Sequence, residues 1–314
     1  MPDAIRSAGY YELPVPIVVA DDVLGTVCRT QIGDLRAQIH TPLLTRDEAG
    51  DRPAAPPHLP GIPTDHPRVA SPWDWVMTID GADRRATCLR RIGVVLEQPA
   101  ERSPRQPIEG GPRASRLGMA ALDGMDDWVE SLRSWVEVLT RQDLDHHHPR
   151  YDVSYLGAGL WISNELMPDM QLGQIEPIDL QRWEATLQRI GNKQDPPLAH
   201  LLARDARMAF RRGDLRRAAI NAGTTTEMVL DGLYCKSLPA GRYRTNQDQR
   251  SLASLKNALF DLGIRPAVPS EALDALILAR NAATYDGQET GEDQLRDILT
   301  TMTTVLAAHG PDPL

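Results

Sequence analysis

The chain has 314 residues, 41% hydrophobic and 25% charged, a balance that excludes wholesale disorder and leaves room for one large domain or two ordinary ones. Its three cysteines, Cys28, Cys88 and Cys235, form no CxxC pair, which argues against a disulfide framework and a cysteine-rich zinc site. The net charge of −9 belongs to residues 1–190, with 28 acidic against 19 basic side chains, while residues 191–314 carry 15 of each; an acidic surface repels phosphate, so only the second part suits a nucleic acid.

The opening MPDAIRSAGYYELP lacks the apolar region of a signal peptide, and no apolar run reaches the ~20 residues of a membrane span. The expectation is a cytoplasmic protein without membrane contact. LPVPIVVA (13–20) reads as a strand with Val15, Ile17 and Val19 on one side, and DLRAQIH repeats the alternation at Leu35, Ala37 and Ile39. Residues 51–67 hold six prolines and read as a surface loop; Trp75, Met77 and Ile79 alternate again before an Asp80-Gly81 turn; residues 98–113 hold four more prolines. A helix over 124–141 aligns Trp128, Leu132, Trp135, Val136 and Leu139. His146, His147 and His148, near Asp143, Asp145 and Asp152, read as a polar loop, because adjacent histidines diverge and no second cluster sits at ligand spacing. No metal or cofactor is expected. A strand over 152–163 and a helix over 179–190, with Leu180, Trp183, Leu187 and Ile190 aligned, lead to Gly191-Asn192 and Pro196-Pro197. Residues 1–190 thus read as an α+β domain with an antiparallel sheet.

From 197 the rhythm is helical. A helix over 197–212 puts Leu198, Leu202, Ala206 and Ala209 on one face and ends at Gly213. Asp214 caps the next, whose stripe runs Leu215, Ala218, Ala219, Ala222, Thr226, Val229, Leu233. Ser251 and Ser270 offer caps for two more, and Thr290-Gly291-Glu292-Asp293 has capping-box spacing before Leu295, Ile298, Leu299, Met302, Val305 and Leu306. Residues 191–314 read as an all-α helical bundle.

The fourth of these helices, EALDALILARNAAT, is apolar nearly all round, yet its wheel sets Arg280 beside Leu273, Leu276, Ile277 and Thr284. Such a cation needs a partner. It is either an ion pair with Glu227 or Asp231, or a functional arginine at the mouth of a cleft.

ARDARMAFRRGDLRRAAINAGTTTEMVLDGL, followed by a helix ending in ARNAATYDG, resembles the HEPN-like helical superfamily over residues 198–308. The family's second-helix pattern is matched by Gly213, Asp214, Ala218, Ala222 and Glu227, and its arginine signature by Arg280 and Asn281, but position 285, where the family has histidine, is Tyr285. The resemblance implies a compact bundle, a homodimer with arginine motifs facing across its interface, and a setting in prokaryotic stress response, toxin–antitoxin pairs or phage defence. It also implies a metal-independent endoribonuclease, in which a base near neutral pKa activates a 2′-hydroxyl and a cation covers the phosphate. Histidine suits the first role, whereas an ordinary tyrosine, with pKa about 10, serves poorly. Arg280, Asn281 and Tyr285 are therefore the candidate catalytic set, Glu227 a supporting residue, and the expectation is binding of RNA or nucleotide with weak or lost cleavage. Tyr285 is otherwise a helix-end aromatic that packs its ring.

Arg204, Arg207 and Arg211 share one helix face and could meet a phosphate backbone; Arg242 and Arg244, flanking Tyr243, add a possible stacking platform. The alternatives are a solvated helix face with a protein-interaction scaffold behind it, and an active ribonuclease using a base other than histidine. The N-terminal domain would dock a protein partner.

Overall fold

The computed structural model describes residues 5–47, 50–59, 74–78, 85–98, 113–144, 152–156, 159–163, 176–238, 251–287 and 290–314. His146, His147, His148, Arg242, Tyr243 and Arg244 lie outside them. The chain divides into two compact units, Met1–Asp195 with Leu314, and Pro196–Pro313, so the boundary falls a few residues beyond Gly191-Asn192. The class is α+β: an antiparallel sheet with helices, then helices alone.

In the first unit β1 (Ile5–Ala20), β2 (Val27–Ile32), β3 (Leu35–His40), β6 (Asp74–Thr78) and β7 (Arg85–Gln98) form one antiparallel sheet in the order β1-β7-β3-β2, with β6 also on β7. β7 is its axis. One edge takes β1 from Ile5 opposite Gln98 to Ala20 opposite Ala86; the other takes β6 and then β3. The register of β1 shifts between Glu12 and Ile17, where Pro14 and Pro16 have no N–H to give a ladder. β2 alternates outward and inward, burying Cys28, Thr30 and Ile32, and turns into β3 at Gly33, whose φ of 58° suits glycine.

Several segments differ from the sequence expectation. β2 and the axial β7 carry no alternation that the sequence reading picked out, β1 begins at Ile5 rather than at 13, and the helix expected over 124–141 begins at Arg113. Residues 50–55, placed in a proline-rich loop, form β5 (Gly50–Ala55) paired with β4 (Leu43–Asp47); an edge strand whose register shifts tolerates Pro53. The single strand expected over 152–163 is a hairpin of β8 (Asp152–Leu156) and β9 (Gly159–Ser163), because Leu156 pairs with Gly159.

α1 (Arg113–Thr140) and α2 (Leu180–Gly191) cover the sheet. Asp179 caps α2 by accepting from the Arg182 N–H at 2.8 Å. Trp128, Leu132, Trp135, Val136, Trp183, Leu187 and Ile190 all enter one core with Ile32, Ile39 and Ile92. A Cβ at Gly124 of α1 would lie 2.9 Å from the Gly33 nitrogen, so glycine there permits helix and hairpin to touch. Thr30 ties the layers: its Oγ1 donates to the Leu187 carbonyl at 2.8 Å and accepts from Trp128 Nε1 at 3.3 Å.

His40 of β3 has no hydrogen bond at Nε2 to a described residue, and burial pushes its pKa below the ordinary value. Unfolded histidine, at about 6.5, then takes up a proton before the folded one. Stability of this unit is expected to be full above that pH and to fall as the pH drops through the folded pKa. Urea midpoints measured between pH 7.5 and 5.5 should drift downward, and His40→Phe should flatten the drift.

The second unit comprises α3 (Leu198–Arg211), α4 (Leu215–Ser237), α5 (Leu252–Asp261), α6 (Ser270–Asn281) and α7 (Glu292–His309) around a separate core. Asp214 and Ser251 cap α4 and α5 through their side chains. Ser270 instead lies inside α6 after Pro269, and Gly291 rather than Thr290 precedes α7; neither helix has a side-chain cap. α3 also faces inward differently: Ala199, Ala203, Ala206, Met208 and Ala209 are buried, while Leu198 is exposed. Alanines meet Ala218, Ala219 and Ala222 of α4 in that core, and a close helix approach favours small side chains over leucine. Among the described residues no helix is long and apolar enough to cross a membrane.

Candidate functional site

The placement of Arg280 begins with Gly223. A Cβ there would stand 2.8 Å from the Arg280 Cβ and closer still to its Cγ, so only glycine lets the arginine stem lie along α4. The guanidinium then reaches Glu227, one turn further on, with Nη2 2.9 Å from Oε2. Both side chains are partly covered, at 22% and 27% exposure. Of the two readings open in the sequence, the ion pair is the one observed, and Glu227 is the partner.

α6 then widens. Residues 282–286 form a π turn, and Gly287, left-handed at φ 64°, donates its N–H to the Ala282 carbonyl. Thr284 Oγ1 donates to the Arg280 carbonyl at 2.7 Å. Tyr285 does not pack its ring; it is 77% exposed. Arg280, Asn281 and Tyr285 share no hydrogen bond among the described residues, so they are neighbours in sequence without forming one assembled site.

A second contact gathers residues that the sequence kept apart. Arg216 Nε donates to the Ala283 carbonyl at 2.8 Å, which brings the α3–α4 turn against the turn that carries Tyr285. The contacts of 216 with 283 and of 227 with 280 run α4 and α6 antiparallel. Eleven residues separate Arg216 from Glu227, about 16 Å of helix, so the Arg280 head lies well away from the arginines of the turn.

Those arginines also differ from the expected row. Arg204 is partly covered, its Nε and Nη2 donating to Asp205 Oδ1 at 2.9 and 2.8 Å, and Arg207 is half-buried. Arg211, Arg212, Arg216 and Arg217 are exposed. Residues 198–217 contain six arginines against Asp205 and Asp214, which concentrates positive charge at this end of a unit otherwise acidic in balance. Sequence reasoning passed over Gly223, whose only signal is a glycine interrupting an alanine-rich helix, and the role of Arg216.

No protein family, curated protein or solved structure matches the chain.

The seat at Gly223 gives a test with a decisive sign. Alanine in place of a mid-helix glycine ordinarily stabilises by about 1 kcal/mol. Here Gly223→Ala is expected to destabilise the helical unit by about 1–3 kcal/mol, the range for overpacking, because the Arg280 stem must leave α4 and Glu227 loses its partner. Chemical denaturation of wild type and variant measures it.

Proposed function

We propose that the helical unit is a HEPN-like RNA-binding module that holds single-stranded RNA at the α3–α4 turn and does not cleave it, in a prokaryotic stress-response or phage-defence setting. The observation that carries this reading is the hydrogen bond from Arg216 to Ala283, since it joins the turn that holds the exposed Arg211, Arg212, Arg216 and Arg217 to the turn that carries the exposed Tyr285. Guanidinium groups neutralise phosphates, and a tyrosine face stacks on an unpaired base. Loss of cleavage is supported by the engagement of Arg280 with Glu227 and by a phenol where the family has an imidazole.

Anisotropy of a labelled 12-mer oligouridylate tests both halves. With three or four phosphate contacts, log affinity should fall against log salt with a slope of about −2 to −3 between 50 and 200 mM KCl, and the RNA should remain intact on a denaturing gel. Salt-independent or absent binding would overturn the binding claim; cleavage by wild type in excess EDTA would overturn the other.

Leu278 and Tyr285, seven residues apart and 68% and 77% exposed, favour a second reading, a homodimer through the outer face of α6. Light scattering of wild type and Leu278→Lys tests it, a dimer in the first and a monomer in the second being the expected pair.

A further inference from the structure

We propose that the cleft between β1 and α1 in the N-terminal unit binds a small apolar organic cation, an arylalkylammonium in class. This inference does not rest on the RNA reading.

The cleft follows from the sequence of β1. Between Glu12 and Ile17 the strand leaves register with β7, and Pro14 and Pro16 bracket Val15 on the displaced stretch. α1 passes alongside, and together they enclose about 350 Å³, within the ~300–1,000 Å³ range of small-ligand sites. The floor is apolar: Leu13, Ile17 and Leu132 are buried, with half-buried Val15 and Val129 above them. An aromatic or aliphatic group placed there leaves water for a hydrocarbon surface.

The rim decides the sign of charge. Asp126 and Asp127 line the cleft, are exposed, and enter no ion pair with a described residue. Glu130 and Arg133 also line the cleft and pair with each other, so among the described residues the charged groups facing it leave the carboxylates of Asp126 and Asp127 without a cation. An anion is repelled, a neutral molecule gains only the floor, and a cation gains both. Tyr11 closes the remaining wall. Its hydroxyl pKa is pushed up by burial and then by the charge of Asp126, which keeps the phenol neutral and leaves its ring available to an ammonium group. The unit as a whole matches, since the acidic excess of the chain lies in this part.

Three probes of nearly equal shape test the assignment on the full chain: 2-phenylethylamine, 2-phenylethanol and phenylacetate, titrated by calorimetry and by amide shifts in two-dimensional NMR. The amine is expected to bind at least tenfold more tightly than the alcohol, and phenylacetate more weakly than either, with shifts centred on Leu13, Val15 and Val129. Asp126→Asn/Asp127→Asn, two changes at exposed positions, should reduce amine affinity to that of the alcohol and leave the alcohol unchanged. Equal affinity for the three probes, no amine binding at 10 mM, or an amine affinity indifferent to the double substitution would overturn the proposal.

Discussion

Reversing Arg211, Arg212, Arg216 and Arg217 to glutamate is expected to weaken binding of single-stranded RNA by more than 100-fold at 50 mM salt. Each phosphate contact contributes a slope of about −0.7 on the log–log salt plot. Four contacts removed and four repulsions added leave no favourable electrostatic term at the turn. The comparison that makes the experiment informative is Arg204→Glu. Arg204 is partly covered and bonded to Asp205, so its reversal should weaken binding far less than reversal of any exposed arginine. Comparable losses from Arg204 and Arg212 would move the binding surface back to the α3 face. Arg216→Ala has an effect of its own, because it releases the bond to Ala283; loss of both cation and turn should exceed the loss from Arg217→Ala.

Trp183→Ala is expected to lower the stability of the N-terminal unit by about 3–5 kcal/mol, the range for removing a buried aromatic. Trp183 is fully buried in α2 and belongs to the core built on the sheet. A domain has only about 5–15 kcal/mol in all, so the variant should lose most of its margin. The helical unit has a core with no residue in common. Scanning calorimetry should therefore show one transition moving down and another holding still, and RNA binding should survive. A joint shift of both transitions, or loss of RNA binding in Trp183→Ala, would tie the two units together energetically.

What the sequence made legible follows from how local each cause is. The alternation in β3 and the wheel of α1 needed only neighbouring residues, and Ala37, Ile39, Trp128 and Trp135 are buried as their periodicity demands. The caps at Asp214 and Ser251 were equally local, because a short polar side chain before an apolar run has one helix to serve. β5 was hidden by Pro53, which argues for a loop until a partner strand is known. Of the buried alanines of α3, Ala206 and Ala209 were legible, while Ala199 and Ala203 were not, because the wheel weighs Leu198 and Leu202 above alanine whereas the neighbouring helix selects for size. Arg280 was legible as a cation needing a partner; that Glu227 is that partner depends on Gly223, and a glycine that makes room is recognised only when its neighbour is in view. Arg204, Arg207 and Arg211 read as one helix face because the wheel groups them, and the wheel does not distinguish Arg204, turned onto Asp205, from the exposed Arg211.

The position of β7 at the axis of the sheet has a consequence for biosynthesis. β1 finds its partners 66 to 93 residues downstream, so the first strand leaves the ribosome with nothing to pair with until residues 86 to 98 follow it. At about 5–20 residues per second the wait lasts on the order of 4–16 seconds. During that interval an apolar strand is open to other nascent chains, and Pro14 and Pro16, which lack amide hydrogens, interrupt any intermolecular ladder it could start.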